Sequence, residues 1–123
     1  MTPLAAGIDY CDLNFIGQPG IIACGLLHGA SGLAVVDPGP TTSLPALRAA
    51  LAARGFTTAD IRWILITHIH LDHAAATGTL LKECPTARLA ARRDTSKIFC
   101  GNWNSRSIST PRTNLCWRAC ISN

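Results

Sequence analysis

What this chain has little of narrows its class first. No apolar run is long and unbroken enough to span a bilayer. The longest, Ile21 to Val36, is interrupted by Cys24, Gly25, His28, Gly29, Ser31 and Gly32. Met1 to Tyr10 has no basic start and no continuous apolar segment, so no secretory signal is read there. A cytoplasmic protein without a membrane partner is the expectation. Aromatic residues make up only 6% of the 123 residues, so a core has to rest on Leu, Ile, Val and Ala. A chain of this length supports one domain with a modest core. The six cysteines contain no CxxC pair, and without a secretory signal they do not make a disulfide framework. Cys11, Cys24 and Cys84 sit among apolar residues and read as small buried hydrophobes.

Acidic residues are nearly missing from the end of the chain. Residues 92–123 carry Arg92, Arg93, Lys97, Arg106, Arg112 and Arg118 against Asp94 alone, and the net charge of +4 comes from there. A diffuse excess of Arg in a polar segment is a solvated surface more often than a nucleic-acid footprint, so a nucleic-acid partner is not expected. Alanine changes in the same place: seventeen before Arg92 and only Ala119 after it. Residues 1–91 therefore read as the domain, and residues 92–123 as an atypical basic tail rich in Cys, Ser and Asn, expected to be poorly ordered.

Within residues 1–91 the periodicity changes once. Residues 7–17 alternate apolar and polar as a half-buried strand does, and Gln18-Pro19-Gly20 signals a turn. Ile21 to Leu27 and Leu33 to Val36 read as two further strands joined by the turn at His28 to Gly32, three antiparallel strands in a meander. After Asp37-Pro38-Gly39-Pro40, Leu44, Leu47 and Leu51 recur at helical spacing. Thr42 or Ser43 is placed to cap that helix, Pro45 suits its first turn and Gly55 its end. Ile61 to Ile66 reads as a buried strand, Ala74 to Glu83 as a second helix, and Ala87 to Ala91 as one more strand.

The chemistry concentrates where the buried strand ends. Three of the four histidines fall within His68-Ile69-His70-Leu71-Asp72-His73. Alternation puts His68 and His70 on the same side of an extended segment. Asp72 and His73 follow where the chain turns into the helix and can face a second point a few ångströms away. Imidazole nitrogens and carboxylate oxygens at this spacing suit zinc, iron or manganese. Two neighbouring ions could share a hydroxide, because metals lower the pKa of bound water. A single histidine would read as an ordinary loop residue; three with an interposed Asp at the end of an apolar strand read as a metal site.

Thr67-His68-Ile69-His70-Leu71-Asp72-His73, followed by Ala-Ala-Ala-Thr-Gly, resembles the signature of the metallo-β-lactamase superfamily. Val35-Val36-Asp37-Pro38-Gly39 resembles that family's strand ending in Asp-x-Gly, and the order of elements over residues 7–91 is similar too. The resemblance implies an α/β fold, the N-terminal half of an αββα sandwich with mostly antiparallel strands plus two helices. It implies a zinc-dependent hydrolase in which a metal-bound hydroxide attacks a thioester, ester, lactone or lactam carbonyl of a small-molecule substrate. By the same resemblance His68 and His70 bind a first metal, Asp72 and His73 a second, and Asp72 also orients the nucleophile as a catalytic residue. The resemblance also implies that Asp37 supports the motif loop by hydrogen bonds; a plain turn Asp before Pro38 is the other reading of that position. The family completes its site with downstream His and Asp residues, whereas this chain has no histidine after His73 and, beyond Glu83, only Asp94 as an acid. The alternative expectation is therefore a truncated, non-catalytic chain that binds metal weakly or not at all. A half-sandwich also leaves one sheet face uncovered, which opens a route to self-association.

Overall fold

A computed structural model describes residues 1–91; the readings made for residues 92–123 lie outside the described residues. Six strands form one sheet in sequential order. β1 (Thr2–Ala5), β2 (Ile8–Asp12), β3 (Ala23–Gly29) and β4 (Gly32–Val36) make an antiparallel meander, and β5 (Ile61–Ile66) and β6 (Arg88–Ala91) continue it in parallel. Parallel neighbours need crossovers. α1 (Leu44–Ala52) supplies the one between β4 and β5, and α2 (Leu71–Ala74) with α3 (Thr77–Glu83) supplies the next. The first strand, β1, is an addition to the meander expected from sequence: its four residues are all exposed, so no hydrophobic pattern announces it.

One sheet face carries the core. Cys11, Leu26, Val35 and Ile64 lie on it, and Leu44, Leu47 and Leu51 of α1 and Leu80 of α3 close over it. The other face presents Tyr10, Leu27, Val36 and Leu65 half-buried, with Ile8 and Trp63 exposed, and no helix covers it among the described residues. β5 is thus covered on one side only, where the sequence reads it as buried. A register shift between Leu33 and Ala34 lets both Ile61 and Ile64 point inward, with Arg62 as the extra residue.

Two helical expectations change. Ser43 is the N-cap of α1, but its hydroxyl makes no capping bond; it is buried without a partner, and Thr41–Ser43 form a 3-10 turn instead. The C-terminal end does follow expectation. Gly55, at φ 76°, donates to Ala52 O and Phe56 N–H to Leu51 O, the bond pair of a Schellman motif. The second helix begins three residues earlier than Ala74 and is split. Ala76 N–H donates to Gly39 O at 2.9 Å, outside the helix, and this breaks the ladder between α2 and α3. Asp72 and His73 consequently stand inside a helical first turn.

Candidate metal centre

The centre sits where the parallel strands β4 and β5 end. Backbone pairing carries on one step past β4, with Asp37 N–H donating to Leu65 O at 2.9 Å. Asp37 then takes φ 51°, a left-handed conformation that Asp tolerates better than most side chains. Pro38 and Gly39 turn the chain away. A side chain at position 39 would collide with Leu13 Cδ1, so glycine is required for the close approach as well as for its φ of 79°. Gly39 is also stitched to the helices: its N–H donates to His73 O at 3.0 Å and its carbonyl accepts from Ala76. The Asp37 turn and the histidine loop are therefore held against each other by backbone bonds.

The Asp37 side chain is nearly buried, 12% exposed, and accepts three hydrogen bonds. Thr67 N–H donates to Oδ1 at 2.8 Å, the Thr67 hydroxyl to Oδ2 at 2.5 Å, and His73 Nδ1 lies 3.0 Å from Oδ2. An ionised carboxylate only accepts, so His73 must carry its proton on Nδ1. The same reasoning passes through Thr67. Its one hydroxyl proton is on Asp37, so it accepts from His68 Nδ1 at 2.9 Å. Both rings thus present Nε2 as the free nitrogen, the arrangement found behind metal-ligating histidines.

The rings gather around His68. The His70 centroid lies 4.6 Å from that of His68, and the His73 centroid 3.9 Å from it. Among the described residues, Asp37, His68 and His73 form the group whose ligand atoms all fall within 4.8 Å of one another. Asp72 is half exposed, its Oδ2 only 3.3 Å from His73 Nε2. Two acceptors at that distance repel unless a proton or a metal cation is shared between them. The donor set therefore fits a borderline or hard divalent ion. The rings of the sequence-predicted residues His68, His70 and His73 come together, with Asp72 beside His73, but His70 and Asp72 lie outside the group of ligand atoms formed by Asp37, His68 and His73. Thr67 was not singled out by sequence reasoning. The available signal was a hydroxyl residue immediately before the first histidine, which has no distinctive spacing.

The sequence profile of the metallo-beta-lactamase superfamily matches residues 17–99. Solved structures similar to this chain include a HARLDQ-motif mutant of a metallo-beta-lactamase from Cronobacter sakazakii, with TM-score 0.68 and 29% identity over 82% of this chain and 38% of that one. The metallo-beta-lactamase MIM-1 from Novosphingobium pentaromativorans has TM-score 0.60 and 32% identity, covering 70% of this chain and 31% of its own. BJP-1, a subclass B3 metallo-beta-lactamase of Bradyrhizobium japonicum, has TM-score 0.61 and 27% identity, covering 76% of this chain and 37% of its own. The chain thus spans well under half the length of these relatives. No curated protein sequence matches it. Among the described residues, no helix is long and apolar enough to cross a membrane.

Proposed function

The chain belongs to the metallo-beta-lactamase superfamily, and from that premise we propose that it carries the N-terminal part of a zinc hydrolase centre acting on a small thioester, ester, lactone or lactam. The observation that carries this reading is the relay Asp37–Thr67–His68 and Asp37–His73, which frees Nε2 on two adjacent rings. In this reading His68 and His70 hold one zinc ion, and Asp72 and His73 hold a second. When bound, zinc acidifies water and polarises a carbonyl oxygen. The chain's own groups provide orientation and proton placement. Asp37 keeps the Nδ1 proton on His73, and Thr67 keeps it on His68. Asp72, exposed enough to meet solvent, accepts a hydrogen bond from the attacking water and aims its lone pair.

The test is zinc content of the purified full chain, by elemental analysis and chelator competition, together with hydrolysis of a chromogenic lactam and a generic thioester. The expected result is bound zinc whose affinity falls at least tenfold in His68→Ala, with any turnover abolished in Asp72→Ala. Zinc content unchanged by His68→Ala would overturn the site. Less than one zinc per chain and no turnover would favour the alternative of a non-catalytic chain that binds metal weakly.

A further inference from the structure

We propose that Cys11 and Cys24 form a dithiol that closes to a disulfide by exchange with a low-molecular-weight disulfide. The two residues are direct partners across the β2–β3 ladder. Their position in the ladder follows from bonds at its two ends. Leu13 N–H donates to Ile22 O at 2.9 Å, and His28 N–H to Gly7 O at 2.8 Å. Cys11 and Cys24 lie an even number of residues from both, hence at a hydrogen-bonded pair. There Cα atoms stand about 5.5 Å apart, inside the range of about 4.4–6.8 Å that a disulfide spans; the Cβ atoms, about 5.5 Å apart in such a pair, must draw in to about 4 Å, so closure pulls the two strands together. Both side chains are buried on the inner face. The Cys24 Sγ–H donates to Gly25 O at 3.5 Å, and the neighbouring Cys24 side chain holds the Cys11 thiol below the usual cysteine range. Cys84 is the internal contrast. It is buried too, its Sγ–H donates to Leu80 O at 2.9 Å, and burial pushes its thiol up to about 11. No other described cysteine faces it across a ladder.

The reaction balances with the external disulfide as oxidant. Cys11 gives up its proton and its sulfur attacks one sulfur of RSSR. The expelled RS⁻ takes the proton, leaving Cys11–S–SR. Cys24 then attacks the Cys11 sulfur and expels the second RSH. Two protein thiols are oxidised and one external disulfide is reduced to two thiols. Both sulfurs are closed off in the folded sheet, so exchange needs the edge to open. Closure would staple β2 to β3 two residues from Leu13, which packs against the Gly39 turn of the metal centre.

The test uses the full chain with Cys100, Cys116 and Cys120 replaced by Ser, incubated with excess oxidised glutathione and then alkylated in denaturant. Peptide mass spectrometry should find a Cys11–Cys24 cross-linked peptide lighter by two hydrogens, with Cys84 fully alkylated. The cross-link should form several-fold faster in urea below the unfolding transition. Hydrogen exchange of the β2–β3 amides should slow at least tenfold after closure. Cys11 and Cys24 both alkylated, or each carrying glutathione, would overturn the proposal. So would a cross-link to Cys84 in place of the Cys11–Cys24 bond. The readout is on a chain that retains both cysteines, so it does not depend on Cys11→Ser or Cys24→Ser folding.

Discussion

Two buried aspartates on the inner side of this sheet each hold a histidine at 3.0 Å, and they do different things. Asp9 lies toward the end where β4 begins, since its partner His28 is paired with Leu33. Its second partner is a cation: Arg54, just past α1, donates to Oδ1 at 3.1 Å. The carboxylate is thereby neutralised inside the protein. His28 has no other ring of its kind nearby and leans on Phe56 at 5.9 Å. Asp37 stands past the other end of β4. Its partners are a backbone amide, a hydroxyl and an imidazole, and none of them is a fixed positive charge. The negative charge is carried forward to rings with free nitrogens. An Asp–His pair is therefore not diagnostic by itself. What separates a tie from a site is whether the carboxylate's charge is cancelled locally or left to be met by a cation that arrives from outside.

The most disruptive way to break this comparison is to remove the local cation. Arg54→Leu leaves Asp9, 3% exposed, with His28 as its remaining partner among the described residues. Stripping one member from a buried pair costs on the order of 3 kcal/mol, read as a lowered midpoint in urea at neutral pH. Zinc affinity should stay within about twofold, because the two aspartates share no partner. A stability loss under about 0.5 kcal/mol would mean that Asp9 is not held as a buried charge, and the contrast with Asp37 would collapse.

A smaller effect is expected at the other end. Thr67→Val keeps the shape of the side chain, and the backbone bond from residue 67 to Asp37 Oδ1 survives. It removes the hydroxyl that holds the Asp37–His68 relay, so His68 is free to rotate or change tautomer. Loss of such a supporting contact costs about tenfold in metal affinity, at the lower end of the usual range. Global stability should fall by only about 1 kcal/mol. Chelator competition with zinc reads the first and urea the second. Equal loss in both would make Thr67 a structural tie like Arg54.

How much of this was legible in the sequence differs between the two ends. β5 begins and ends where its apolar run does, because Asp60 and Thr67 bound a stretch without competing signals. The histidine cluster was legible because metal chemistry demands rare side chains at close spacing. Asp9 was not. In the run Ile8-Asp9-Tyr10-Cys11 a charged residue reads as the solvated half of an alternating strand. The structure reverses that parity, leaving Ile8 40% exposed and Asp9 2%. The reason lies 45 residues away in Arg54, and no local pattern carries a partner at that distance. The break between α2 and α3 was hidden for a similar cause: Ala76 looks like helix interior until Gly39 takes its amide.

The mildest prediction uses a third carboxylate to calibrate the other two. Arg48 of α1 meets Glu83 of α3 through both carboxylate oxygens, with side chains 46% and 25% exposed. The Arg48 guanidinium holds the Glu83 carboxyl below its ordinary range. A carboxyl lowered in the folded state stabilises the protein fully above its unfolded value, about 4.3, and loses that contribution as pH falls through the folded value. Arg48→Ala should therefore cost a small amount of stability at pH 7, the least of the three substitutions. The difference from the wild type should shrink as pH falls through the folded value of Glu83 and vanish once both states are protonated. Salt should shrink it, since both groups reach solvent. The same salt should leave the Arg54→Leu deficit nearly intact, because Asp9 is shielded from counterions. If the two deficits respond to salt alike, burial is not what distinguishes these carboxylates, and Asp37 would have to be explained by its hydrogen bonds alone.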